Sequence, residues 1–134
     1  MVRYTHRPTI RFFEVDQQRV VYHMWYLAYF EDARNAMFTH HGMSLRELNN
    51  RGHDVQIVHY SLDWVGPVRW GDDLTVSVQV DSLGTSSFTL RYEAAGADGK
   101  AVTASAVYVA VRRDLPGTVP IPPDLLTALG TEAT

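Results

Sequence analysis

Cysteine is absent from the 134 residues, which removes disulfide scaffolds, thiolate metal sites, iron–sulfur clusters and cysteine nucleophiles together. That absence fits a cytoplasmic protein. A basic excess is missing too: 12 Lys and Arg stand against 15 Asp and Glu, a formal net charge of −3 with neutral histidines. Nucleic-acid binders carry a basic footprint, so nucleic acid is not expected as a partner. No uncharged run approaches the roughly 18 residues that span a bilayer, so no membrane is expected either. The charged residues 1–7 are followed by no apolar stretch, so no signal peptide is expected. There is no G-x-S-x-G elbow, no phosphate-binding loop, no dinucleotide fingerprint and no H-x-x-x-H pair. His40 and His41 are adjacent and on a helix would point about 100° apart, so they cannot chelate together. Neither a metal nor a cofactor is expected.

What is present is an ordinary globular composition, 46% hydrophobic and 20% charged. The length suits one domain, usually about 100–150 residues, and no repeat or composition shift divides it. A single domain over 1–134 is expected, with a proline-bearing tail at 116–134 that holds a short last helix at 124–129.

Residues 9–15 (TIRFFEV) are β-branched and aromatic and read as a first strand. Residues 20–38 contain neither Gly nor Pro, and Gly42 stands where a helix end wants a left-handed residue, which predicts one long helix. Its first half, residues 22–30, is apolar nearly all round and so should be enclosed by other structure. Ser44 is a plausible cap for a short helix at Leu45–Asn50. Beyond it the period changes to two: Val58, Tyr60, Leu62 and Trp64, then Leu74, Val76, Val78 and Val80, then Phe88, Leu90 and Tyr92. Residues 101–111 are apolar on both faces, as in a central strand, and Asp98-Gly99 before them is a hairpin signal. Short turns force antiparallel neighbours. The economical packing is one antiparallel sheet curled around one apolar helix, an α+β fold. Residues 55–64 would form its edge strand, the place for a second subunit to pair.

Asp16 lies between the apolar strand and the apolar helix. It reads either as an N-terminal cap or as a nucleophile or general base beside the free N–H groups of a helix end, which could also hold an oxyanion. His59 either lines a pocket or is a hydrogen-bonded structural residue.

Phe12-Phe13-Glu14-Val15-Asp16, Val20-Val21-Tyr22-His23, Tyr26-Leu27 and Tyr29-Phe30-Glu31-Asp32-Ala33-Arg34 resemble the N-terminal signature of hot-dog-fold acyl-CoA thioesterases, in the 4-hydroxybenzoyl-CoA thioesterase branch. The run Trp64-Val65-Gly66-Pro67-Val68-Arg69-Trp70-Gly71-Asp72 is similar to that family's link between strands. The likeness implies a five-stranded antiparallel sheet wrapped around one long central helix. It also implies an acyl-CoA thioesterase with Asp16 as nucleophile or general base and the His23 backbone N–H as oxyanion donor. Tyr22 and Tyr26 would help shape the substrate pocket, which Trp25 would reshape and His59 could line. Arg69, Arg91, Lys100, Arg112 and Arg113 would be either solvated strand charges or contacts for coenzyme A phosphates. Glu31 would be either a catalytic carboxylate of the central helix or an ion-pair partner of a nearby Arg, and Arg34 a packing or interface residue. A homodimer or dimer of dimers is implied, with sites at the subunit boundary. Two residues depart from the pattern. Arg19 stands where the family usually has glycine, implying a rearranged loop or a charge at the pocket mouth. Trp25 stands where it commonly has Asn. The same residues suit an acyl chain on a carrier protein. They also suit a non-catalytic acyl-binding module. A hydratase would pair an aspartate with a histidine side chain at close spacing, which Asp16 and His23, seven apart, do not offer.

Overall fold

The computed structural model describes residues 3–131. The two ends of the expected 1–134 domain, including the first two residues of the N-terminal stretch where no signal peptide is expected, lie outside the described residues. Five strands form one antiparallel sheet: β1 (Tyr4–His6), β2 (His53–Trp64), β3 (Thr75–Leu83), β4 (Ser87–Gly96) and β5 (Gly99–Arg112), in the order β1-β3-β4-β5-β2. The long helix α1 (Trp25–His40) crosses one face, and the short helices α2 (Leu45–Asn50) and α3 (Pro123–Ala128) flank it.

The sheet reads as its period-two pattern demands. Leu74, Val76, Val78 and Val80 are buried, as are Phe88, Leu90 and Tyr92 on the next strand and Ala104, Ala106, Tyr108 and Ala110 on β5. Their common face meets Tyr26, Tyr29, Phe30, Ala33, Met37 and Phe38 of α1. Phe30 stacks on Tyr92 with centroids 4.8 Å apart, and Phe88 on Tyr108 at 5.1 Å. Each such side chain contributes about 1.5–3 kcal/mol by leaving water. The other face of β5 is half-buried. Two turns need a left-handed residue and have glycine there: Gly99 in the β4–β5 hairpin at φ 100° and Gly42 after α1 at φ 88°.

β2 lies at the sheet edge, as its sequence predicts, and pairs only with β5 among the described strands. A bulge between Ile57 and His59 leaves Val58 unpaired and 55% exposed, so the alternation predicted from Val58 onward resumes at Tyr60.

Two expected elements are corrected. Residues 9–15 are not a strand: β1 lies earlier, at Tyr4–His6, and Phe12–Glu14 is a single 3-10 turn. The turn forms because the buried Glu14 carboxylate accepts from the Arg11 N–H at 2.8 Å, closing the chain on itself, while Phe12 and Phe13 face outward. The long helix begins at Trp25 and not at residue 20. Val20 and Val21, β-branched and poor helix starters, are held in bridges to Arg69 and Val15 instead. Ser44 does cap α2, accepting from the Glu47 N–H at 3.1 Å. The last helix runs one residue ahead of its expected place.

Candidate active site

The segment from Val15 to Met24 is a hairpin-like loop hung on its neighbours by backbone bonds. Asp16 N–H donates to Val20 O (2.9 Å) and Arg19 N–H to Asp16 O (2.9 Å). Val21 N–H donates to Val68 O (2.8 Å), Trp70 N–H to Arg19 O (3.0 Å) and Tyr22 N–H to Glu14 O (2.9 Å). The Asp16 carboxylate accepts from the Gln18 N–H at 2.8 Å, an Asx turn. It is therefore not the cap of α1. The residue in the capping position is Met24, which offers no side-chain acceptor, and the first turn contains no acid. Among the described residues none accepts a hydrogen bond from the His23 or Met24 amides. The positive end of a sixteen-residue helix is left open. Arg19 sits at φ 63°, the left-handed conformation that glycine adopts without strain.

Glu14 was not singled out by the sequence, yet it anchors this loop. It is 5% exposed and accepts from the Tyr29 hydroxyl of α1 at 2.8 Å as well as from Arg11 N–H. Burial, then the Glu14 carboxylate, push the Tyr29 hydroxyl up from its ordinary pKa, so it stays a donor.

The structure brings Tyr22, His23, Trp25 and Tyr26 to the start of α1. The His23 ring is exposed between Tyr22 (4.2 Å) and Trp64 (6.1 Å, edge-on). Trp25 is half-buried against Phe13 at 5.6 Å. Tyr26 is buried edge-on to Tyr29, and burial raises its pKa to about 12. Trp64, 51% exposed at the end of β2, joins them, although the sequence marks it as a strand residue and the start of the link run and not as a site residue. His59 is not brought there. It pairs with Val107 on the outer face of β2, while Tyr60 and Trp64 pair with Ala106 and Val102 on the inner face. Five residues of strand, about 16 Å, separate His59 from Trp64.

Beside α1, Leu27, Ala28, Glu31, Ile57 and Tyr60 line an open, mostly apolar cavity of about 230 Å³. Glu31 forms an ion pair with Arg34 at 3.5 Å. Arg34, 5% exposed, lies over the Tyr108 ring, and the Tyr108 hydroxyl bonds that of Tyr92 at 2.5 Å. Among the described residues nothing partners the buried Tyr60 hydroxyl, which burial raises in pKa, helped by Tyr108 and Glu31. A larger polar hollow of about 460 Å³, with Ser61, Asp63, Arg91, Thr103 and Ser105 in its lining, opens on the outer face of the sheet, away from α1. Four of the five cations weighed for coenzyme A are tied to acids: Arg69 to Asp98, Arg91 to Asp81 (3.8 Å), Lys100 to Glu93 (3.1 Å) and Arg112 to Asp114 (3.0 Å). The fifth, Arg113, donates to Asn49 O at 3.0 Å.

Over residues 10–129 the sequence matches the family described as the thioesterase-like superfamily. The chain belongs to that superfamily. This thioesterase is 28% identical over 124 residues, 91% of either chain, to the 1,4-dihydroxy-2-naphthoyl-CoA hydrolase of Synechococcus elongatus. Its fold superimposes on a 1,4-dihydroxy-2-naphthoyl-CoA thioesterase from Synechocystis with a TM-score of 0.86 at 22% identity, covering 96% of each chain. A Staphylococcus aureus protein solved in complex with CoA gives a TM-score of 0.85 at 19% identity, covering 99% of this chain and 87% of that one. The α+β hot-dog fold expected from the sequence is the fold observed, and the protein is a thioester hydrolase. Among the described residues no helix of the thioesterase is long and apolar enough to cross a membrane.

Proposed function

We propose that the protein hydrolyses an acyl-CoA to the free acid and CoA, using Asp16 and the open end of α1. The observation that carries this reading is the pairing, in one loop, of a carboxylate that caps no helix with a helix start whose His23 amide has no acceptor among the described residues. The thioester carbonyl oxygen accepts from the His23 N–H as it gains negative charge, the role for which a preorganised backbone donor is best suited. Asp16 either attacks the carbonyl carbon, with water then cleaving the anhydride, or takes a proton from an attacking water. Either route adds one water, breaks the C–S bond and protonates the thiolate. Tyr22, Trp25 and Tyr26 border the acyl group, and Trp64 closes the opposite side.

Coenzyme A as the thiol is supported by the Staphylococcus aureus neighbour solved with CoA and by the relative named as a CoA-ester hydrolase. A CoA ester as substrate makes the cytoplasm the proposed site of action. The proposed assembly is a dimer paired along β2, or two such dimers. An exposed edge with Ile57 and Val58 uncovered is a surface proteins normally bury, and the cavity at Leu27 and Tyr60 opens beside it.

The test is thiol release from a panel of aromatic and aliphatic acyl-CoAs, wild type against Asp16→Asn. Loss of the reacting carboxylate should cost about a hundredfold or more in kcat. Undiminished turnover by Asp16→Asn would refute its role and turn attention to Glu31.

A further inference from the structure

Arg19 is the one residue other than glycine with a left-handed φ among the described residues; Gly42, Gly52, Gly71, Gly99, Gly117 and Gly130 are the rest. A β-carbon is strained there, and the strain is imposed by bonds that only the backbone makes: Arg19 N–H to Asp16 O and Trp70 N–H to Arg19 O. Glycine would make both bonds without strain, so the backbone gives no reason for an arginine. The reason must lie in its side chain, and strained residues of this kind gather at functional sites.

That side chain is exposed, and among the described residues no carboxylate lies within ion-pair distance of it. The contrast with Arg69, Arg91, Lys100 and Arg112, all ion-paired, is direct. Arg11, close by in sequence, lies over the Phe13 ring at 5.9 Å. Arg19 thus offers an uncommitted guanidinium on the turn that carries Asp16.

We infer that Arg19 binds a phosphate of the substrate's thiol carrier. This rests on the CoA-thioesterase reading above. A pantetheine arm that delivers its thioester to Asp16 leads outward to a phosphate, and the planar fork of a guanidinium matches phosphate oxygens two at a time. The strain at φ 63° is then the local cost of placing that cation on the turn that carries Asp16.

The test uses Arg19→Gly, which removes both charge and strain, and Arg19→Gln, which removes the charge alone. Titration calorimetry with free CoA and with pantetheine reads binding without turnover. Kinetics on one acyl group carried by CoA, by 4'-phosphopantetheine or by pantetheine read it with turnover. Both variants should weaken CoA binding and raise KM for the acyl-CoA about five-fold, the scale of one exposed charge pair. Pantetheine binding, KM for the acyl-pantetheine and kcat should stay as in wild type. Arg19→Gly should also melt higher than wild type, and Arg19→Gln should not. An effect kept on acyl-phosphopantetheine supports a contact with the phosphate that a carrier protein also bears; an effect seen with CoA alone supports one with the nucleotide phosphates. Unchanged CoA affinity in both variants overturns the inference, as does an equal loss on pantetheine. If wild type cleaves no ester but binds CoA through Arg19, the hydrolysis reading fails and this one stands.

Discussion

Replacing Tyr29 by phenylalanine asks how the loop that carries Asp16 is held. The Tyr29 hydroxyl donates at 2.8 Å to a Glu14 carboxylate that is only 5% exposed and whose other donor is the Arg11 N–H. Removing a hydrogen bond to a buried charge costs about 1.5–3 kcal/mol, because the carboxylate is left under-solvated. For a domain of this size that is a fall in melting temperature of about 5–10 °C. Activity should suffer as well. Glu14 stands two residues before Asp16, and its carbonyl receives the Tyr22 N–H just ahead of His23, so one anchor serves both ends of the loop. A displacement of about 1 Å at a reacting group can cost a hundredfold in rate, so kcat should drop tenfold or more while KM changes less. The assay is urea denaturation beside acyl-CoA turnover for Tyr29→Phe, Glu14→Gln and the double variant. The pair should show a coupling of about 0.5 kcal/mol or more. Full stability and full kcat in Tyr29→Phe would show that this bond does not hold the loop.

Two further outcomes follow from the same geometry. The buried Tyr26 hydroxyl is raised to about 12, and burial likewise lifts Tyr29, Tyr60, Tyr92 and Tyr108. In the unfolded chain these groups ionise near pH 10, so above that pH the unfolded state releases protons that the fold retains. Stability then falls as pH rises, by about 1.4 kcal/mol per pH unit for Tyr26 alone up to about pH 12. Urea midpoints at pH 8, 10 and 11 check this, and a flat profile refutes it. Ser44→Ala should cost about 1 kcal/mol by freeing the Glu47 N–H at the start of α2, with Ser44→Asp near wild type in the same denaturation series.

The legible parts of this protein are those written in local periodicity. Alternation along residues 74–80 and 88–92 marks the buried face of the sheet because a strand turns every second side chain the same way. Ser44 and Gly42 announce helix ends because capping is a contact between near neighbours. Asp16 stands out for a similar reason, an acid at the break between an apolar strand-like run and an apolar helix. The strand expected at 9–15 and the helix start expected at residue 20 do not form because the conformation there is not local. Val20 and Val21 are held by Arg69 and Val68, nearly fifty residues on, and Glu14 is held by Tyr29, so propensity gave way to tertiary bonds. The gathering of Trp64 beside His23 follows from the pairing of β2 with β5 next to α1, which no window of sequence contains, whereas period-two alternation alone sets His59 on the face opposite Trp64.

By itself the sequence determined an α+β fold, the face each strand buries, the edge position of β2 and a carboxylate set just before an apolar helix, because each depends on spacing between neighbouring residues. Only the tertiary structure decided that Asp16 caps its own turn and not the helix, that Arg19 is strained and unpaired while Arg69, Arg91, Lys100 and Arg112 are engaged, and that Glu14 holds the loop from beneath. Those facts depend on which groups meet across the sheet and around α1, and hydrogen bonds and ion pairs form between whatever the fold brings within reach, however far apart in the chain.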